Sequence, residues 1–266
     1  NGANNGGNNG PANNGAPVLT QPACAWNQAY QENFEADSIG DILDSARNCY
    51  VLLDPFDSDE ARVAIPRIKA GGNVVGCYIS VGTCEEWRED FDEIAPHCIS
   101  RAWAEWEGEF FVDTPSEALV AAMGLRVDQM GEWGCDMVEF DNMDWAFDDD
   151  SRRMYGFSAT ADQAVAYNRA ICDRVEAQGM ACMAKNTREG AAQFGSGTFE
   201  SYSDDKNWWE QAHLQSFLDD GGLGLIIHYD ETDCDGVYAE YRGIYGDGLS
   251  FVCEDRALRG YRRYGQ

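Results

Sequence analysis

Lysine is almost missing from this sequence. Lys69, Lys185 and Lys206 are its three lysines, histidine is limited to His97, His213 and His228, and 19 Lys and Arg face 47 Asp and Glu for a net charge of −28. So acidic a chain repels phosphate backbones, which excludes a nucleic-acid partner. No apolar run approaches the ~18 residues of a membrane-spanning helix, so no membrane span is expected. There is no C-x-x-C pair to go with the scarce histidines, and neither a structural zinc site nor any other metal or cofactor is expected. Neither a G-x-G-x-x-G nor a Walker loop follows the first candidate strand, which argues against a nucleotide-binding open sheet.

What is present is ten cysteines, dispersed from Cys24 to Cys253. Their even number fits disulfides formed in an oxidising compartment. Cys84 with Cys98 would close a short loop, and Cys234 with Cys253 would tie the last helical region to the last strand. Residues 1–17 (NGANNGGNNGPANNGAP) hold almost nothing but Asn, Gly, Ala and Pro. They offer no apolar periodicity, so residues 1–23 are expected to be a disordered linker and residues 24–266 the folded domain. Such a tether commonly follows a removed signal peptide or a lipid-anchored cysteine, or joins modules, so a secreted or surface-tethered protein is expected. The folded part is expected to be monomeric.

The remaining stretch of about 245 residues has the size of one α/β barrel. Short apolar runs alternate with amphipathic ones, the pattern of repeated βα units. Eight strands are predicted, at 25–30, 50–54, 73–81, 137–141, 181–185, 198–202, 224–229 and 249–253. Helices are predicted between them, for example 116–133 and 160–178, where Thr160 is an N-cap and Gly179 a stop signal. A single (β/α)8 barrel accounts for this order. The segment 82–115 is too long for a plain βα connection and reads as an insertion forming one wall of a groove at the barrel mouth. Trp103, Trp106, Phe110 and Phe111 are its aromatics; some are candidate sugar platforms and at least two are expected to pack locally.

Catalytic groups of barrel enzymes stand at strand carboxyl ends, where Asp54, Asp141, Glu200, Asp230 and Glu254 all fall within a residue or so. Acids are 47 of 266 residues, so chance supplies several of these and context must separate them. In MVEFDNMDW (137–145) one apolar strand delivers Glu139, Asp141 and Asp144, with Asn142 able to hydrogen-bond a sugar or a neighbouring carboxylate. Alternation puts Glu139 and Asp141 on one face, where crowding would raise the pKa of one of them. In TFESY (198–202) Glu200 stands between aromatics, with Tyr202 following, an environment that keeps an acid protonated for general acid work. Strand five ends in MAKNT, which puts Lys185 and Asn186 between the two acids in barrel order, and Lys185 can pair with Asp141. Tyr78, Trp106 and Tyr229 complete the candidate substrate contacts. Paired carboxylates across a barrel mouth are the requirement of glycosidic cleavage.

These residues lie in segments that resemble glycoside hydrolase family 114, the endo-α-1,4-polygalactosaminidases, over roughly residues 26–229. The matching stretches are Trp26 and Gln28, the strand-end Asp54, YISVGTCEEWRED from Tyr78 to Asp90, WEGEFFVD from Trp106 to Asp113, GCDMVEFDNMD from Gly134 to Asp144, and GMACMAKN from Gly179 to Asn186. The resemblance implies that Asp141 and Glu200 are the catalytic pair, nucleophile and general acid/base of a retaining mechanism, and that the substrate is a polysaccharide of α-1,4-linked galactosamine. Partly deacetylated, such a polymer is cationic and suits the −28 charge. Two departures stand out. AWNQAYQENF lacks the acid that usually follows the glutamine, and SYSDDKNWW lacks the usual cysteine. An α-glycosidase of the same fold acting on another polysaccharide, and a barrel that binds glycan without cleaving it, are the alternative readings.

Overall fold

The computed structural model describes residues 24–29, 39–103, 106–113, 116–143, 149–185, 197–202, 215, 218–219, 223–229, 233–254 and 260–264; the side chains of 149, 151, 197–202, 229, 254 and 260–264 lie outside that description. The expected linker, 1–23, is outside it as well.

The main sheet has the order β1 (Ala25–Asn27), β2 (Tyr50–Leu53), β3 (Val74–Ser80), β7 (Met137–Asp141), β8 (Ala181–Lys185), β9 (Gly197–Tyr202), β10 (Gly224–Tyr229), β11 (Ser250–Glu254) and β12 (Gly260–Tyr264). Neighbours from β1 to β11 pair in parallel, and β12 pairs antiparallel with β11. Both β11 and β12 come against β1, so the sheet curls back on itself. The chain is a (β/α)8 barrel whose eight parallel strands match the predicted ones to within a few residues. The ninth strand, at the seam, was not expected; its GYRRY sequence has no apolar alternation to announce it.

Among the described residues the helices between strands are α1 (Ile39–Ser45), α2 (Asp59–Ala70), α4 (Glu117–Trp133), α5 (Asp149–Tyr155), α6 (Ala161–Ala177) and α7 (Cys234–Tyr245). Their starts are written locally. The side chains of Ser58, Ser116 and Thr160 each accept from a backbone N–H three residues on, and Gln163 returns the bond to Thr160. Gly134 ends α4 at φ 89°, a left-handed conformation that glycine adopts without strain.

Period-two alternation sorts the strand side chains into two cores. Val51, Leu53, Val75, Cys77, Ile79, Val138, Phe140, Cys182 and Ala184 pack outward against the helices. Tyr50, Leu52, Val74, Tyr78, Met137, Met183, Leu225, Ile227 and Val252 fill the barrel interior. Gly76 has no side chain because the Tyr50 ring crosses it; a Cβ there would overlap the phenol oxygen.

The insertion is a small sheet of its own. Strands β4 (Thr83–Glu85), β6 (Glu109–Val112) and β5 (Cys98–Ala102) pair antiparallel, with the short helix α3 (Phe91–Ile94) between β4 and β5. All ten cysteines are paired: Cys24–Cys49, Cys77–Cys135, Cys84–Cys98, Cys172–Cys182 and Cys234–Cys253. The two expected pairings are among them. Cys84–Cys98 pins β4 to β5, and Cys172–Cys182 and Cys234–Cys253 each fasten a helix to the following strand.

Candidate active site

The carboxyl ends of β3, β7 and β8 converge on Asp141, whose side chain is 17% exposed at the barrel mouth. Both of its oxygens are engaged. Lys185 Nζ lies 3.0 Å from Oδ2 and the Tyr78 phenol donates to the same oxygen at 3.1 Å, while the backbone N–H of Asn142 donates to Oδ1 at 2.9 Å. Burial, reinforced by Asp141, Glu85 and Glu109, holds the Tyr78 phenol well above its ordinary pKa, so it remains a donor. Lys185 also lies over the Tyr78 ring, 5.7 Å from its centroid.

One turn of alternation deeper, Glu139 is fully buried on the same face, with Lys185 Nζ 3.6 Å away. Burial pushes its carboxyl up to about 8; Lys185 pulls it down and Asp141 pushes it further up. The two inward-facing acids of MVEFD therefore differ: the shallow one opens to the mouth, and the deep one is protonated near neutrality by burial more than by the crowding expected from alternation.

Asn142 follows at φ 59°, a left-handed conformation that asparagine tolerates better than most side chains. Its amide does not face outward as a free sugar-binding group. Nδ2 donates to Ser80 Oγ at 2.9 Å and to Glu109 Oε1 at 3.1 Å. Thr83 hydrogen-bonds both Ser80 and Glu109. Burial drives Glu109 up to about 8 despite the Thr83 hydrogen bond, with Glu85 and Asp141 pushing the same way and Lys185 opposing.

Asp54 directly follows β2, and its carboxylate is committed to the scaffold. It accepts from both terminal nitrogens of Arg88 at 3.1 and 2.8 Å and from the backbone of Phe56 and Asp57. Arg88 in turn holds Glu85 at 2.9 Å, and all three residues are buried. In the insertion Trp106 is 46% exposed, with the Trp103 ring centroid 6.5 Å from its own. Phe111 is buried against Trp103, Tyr155 and Phe157, so the packing role falls to it and its neighbours. The side chains of Glu200, Tyr202 and Tyr229, and all of Asp144 and Asn186, lie outside the described residues. The backbone of β9 runs between β8 and β10, with Lys185 level with Phe199, so Glu200 follows at the mouth end of its strand. Sequence reasoning did not assign roles to Ser80, Thr83, Glu85, Arg88 and Glu109. Their signal was the YISVGTCEEWRED and WEGEFFVD segments, whose polar residues sit in otherwise apolar strands. Among the described residues no cluster of His, Cys, Asp and Glu is arranged to hold a metal ion.

The family model described as glycoside-hydrolase family GH114 matches residues 16–266. The chain belongs to glycoside hydrolase family 114. It is a glycoside hydrolase, and its fold is that of solved structures of other such enzymes. The crystal structure of Aspergillus fumigatus Ega3 in complex with galactosamine superimposes with a TM-score of 0.71 at 18% identity, covering 95% of this chain and 97% of that one. The glycoside hydrolase domain of PelA from Pseudomonas aeruginosa superimposes with a TM-score of 0.61 at 14% identity, covering 92% and 98%. No curated protein sequence matches. The Asp141 cluster lies at the carboxyl ends of the parallel strands β7 and β8, the end of this architecture at which active sites lie.

Proposed function

We propose that this family 114 enzyme is secreted and cleaves polysaccharide containing α-1,4-linked galactosamine, within the chain and with retention of configuration. The observation that carries the reading is Asp141, solvent-accessible at the mouth and held at both oxygens by Lys185, Tyr78 and the Asn142 N–H. A carboxylate so fixed is oriented as a nucleophile must be. Asp141 attacks the anomeric carbon, the glycosidic C–O bond breaks, and the leaving oxygen takes a proton from Glu200. Water then adds to the anomeric carbon, gives its proton to Glu200 and frees Asp141. This requires the two carboxyls to lie ~5 to 5.5 Å apart.

Support for the substrate comes from the galactosamine in the Ega3 complex and from the net charge of −28, which attracts a cationic polymer. Trp106 stacks on a sugar ring, and Asp144, Asn186, Tyr202 and Tyr229 contact substrate around the cleavage point; Lys185, Tyr78 and Asn142 hold Asp141, Glu139 holds Lys185 from below, and Asp54 holds the Arg88 loop. Five disulfides fit export to an oxidising compartment. The folded unit acts as a monomer, with residues 1–23 as its tether.

The test is digestion of a glycan panel that includes galactosaminogalactan before and after deacetylation, with proton NMR of the first product. The α-anomer should appear first, and the rate on the deacetylated polymer should fall steeply with salt. Asp141→Asn and Glu200→Gln should each lose several orders of magnitude in kcat, and the double variant should be little worse. Turnover near wild type in Asp141→Asn would refute the assignment.

A further inference from the structure

We propose that Glu109 is a positioning residue: carried on the inserted sheet, it clamps the Asp141–Asn142 turn through the Asn142 amide, so that the insertion, rather than the barrel alone, sets the orientation of the nucleophile. The inference rests on the reading of Asp141 as the nucleophile.

Asn142 Nδ2 donates to Ser80 Oγ at 2.9 Å and to Glu109 Oε1 at 3.1 Å, with Thr83 Oγ1 a longer contact at 3.4 Å. Thr83 donates its one proton to Glu109 Oε1, which leaves Ser80 as the donor to Thr83. Glu109 Oε1 therefore ends both routes and accepts from Asn142 and Thr83 together. Asn142 is thus fixed at its side chain while its backbone, at φ 59°, points its N–H at Asp141 Oδ1, 2.9 Å away. The same junction is tied through the main chain, where the Asp141 carbonyl accepts from Val81 and Gly82 at 3.2 and 3.3 Å and Gly82 in turn accepts from Val112 in β6. Without the clamp, a left-handed non-glycine residue would relax, and the N–H that holds Asp141 would move with it.

Glu109 is 5% exposed and faces Thr83 and Glu85 from β4, Asp141 from β7 and Lys185 from β8. Protonated in this setting, it offers a neutral carbonyl oxygen, which a glutamine amide reproduces.

The experiment uses the full chain and deacetylated galactosaminogalactan, with Glu109→Gln, Glu109→Ala and Asp141→Asn compared. Glu109→Ala should lower kcat by about 10²-fold, the cost of misplacing a reacting group by about an ångström, with KM little changed. Glu109→Gln should recover most of that loss. Hydrogen exchange supplies a readout free of turnover: the backbone amides of 141–143 should exchange faster in Glu109→Ala, at wild-type rates in Glu109→Gln, while α2 and α6 stay unchanged. Equal exchange at 141–143 in the wild type, Glu109→Ala and Glu109→Gln, or an unchanged kcat in Glu109→Ala with Asp141→Asn inactive, overturns the positioning role. An active Asp141→Asn overturns instead the reading on which it rests.

Discussion

Lys185 reaches from the end of β8 to the end of β7 and meets Asp141 with Nζ 3.0 Å from Oδ2, its own side chain 6% exposed. It also lies 3.6 Å from Glu139, so one buried cation serves two acids of one strand. Removing it would leave both carboxyls crowded without compensation. Lys185→Met is expected to destabilise the fold by ~3 to 5 kcal/mol, the usual cost of removing one partner from a buried pair. It should also lower kcat more than it raises KM. Urea denaturation and steady-state kinetics on the same preparation check both.

Stability should fall as pH rises. Burial pushes Glu109 and Glu139 from an ordinary value of 4.5 up to about 8 each. Between those values the folded chain holds protons that the unfolded chain has released, so their contribution is complete below 4.5 and is lost as pH rises through about 8. At the acid end Asp90 acts in the opposite sense. Burial raises its pKa, but the Arg126 hydrogen bonds outweigh that and hold it below its ordinary 3.8, so its contribution is lost as pH falls further. Calorimetry should therefore show Tm falling from about pH 5 to about pH 9, with a shallower fall in Glu109→Gln and in Glu139→Gln.

The Cys84–Cys98 bridge couples the insertion to catalysis, because β4 supplies Thr83 and is the strand to which Glu109 pairs. Removing it as Cys84→Ala with Cys98→Ala should cost ~2 to 4 kcal/mol of stability. It should also reduce kcat. Removing Cys234–Cys253, which lies across the helix α7 and strand β11, should cost similar stability with less effect on turnover. An equal loss of kcat in both variants would show that the insertion has no special part.

Deleting residues 1–17 should leave Tm and kcat unchanged, because Asn, Gly, Ala and Pro offer no apolar surface to offset the entropy of ordering them. Differential scanning calorimetry of the truncated chain decides it; a fall of several degrees would mean that the segment docks on the barrel.

The repeat of strands and helices, the insertion after the third strand, the barrel, and the inward pairing of Glu139 with Asp141 are all legible in the order of amino acids. These are consequences of periodicity: alternation in MVEFD assigns faces within one strand, and a serine or threonine before a helix caps it through bonds three residues long. The pairing of Lys185 with Asp141 could also be anticipated, since neighbouring barrel strands bring their ends together. Tertiary structure alone decided the rest. Asp54 and Arg88 are 34 residues apart, and Glu109 and Asn142 are 33 apart. No local pattern records such a bond. A strand-end acid looks the same in sequence whether it faces the mouth or is consumed by a buried guanidinium, and a glutamate in an apolar strand looks like any other until burial protonates it. The closing strand β12 was hidden for a related reason: its place between β11 and β1 follows from the circumference of the barrel, which depends on every other strand and not on GYRRY itself.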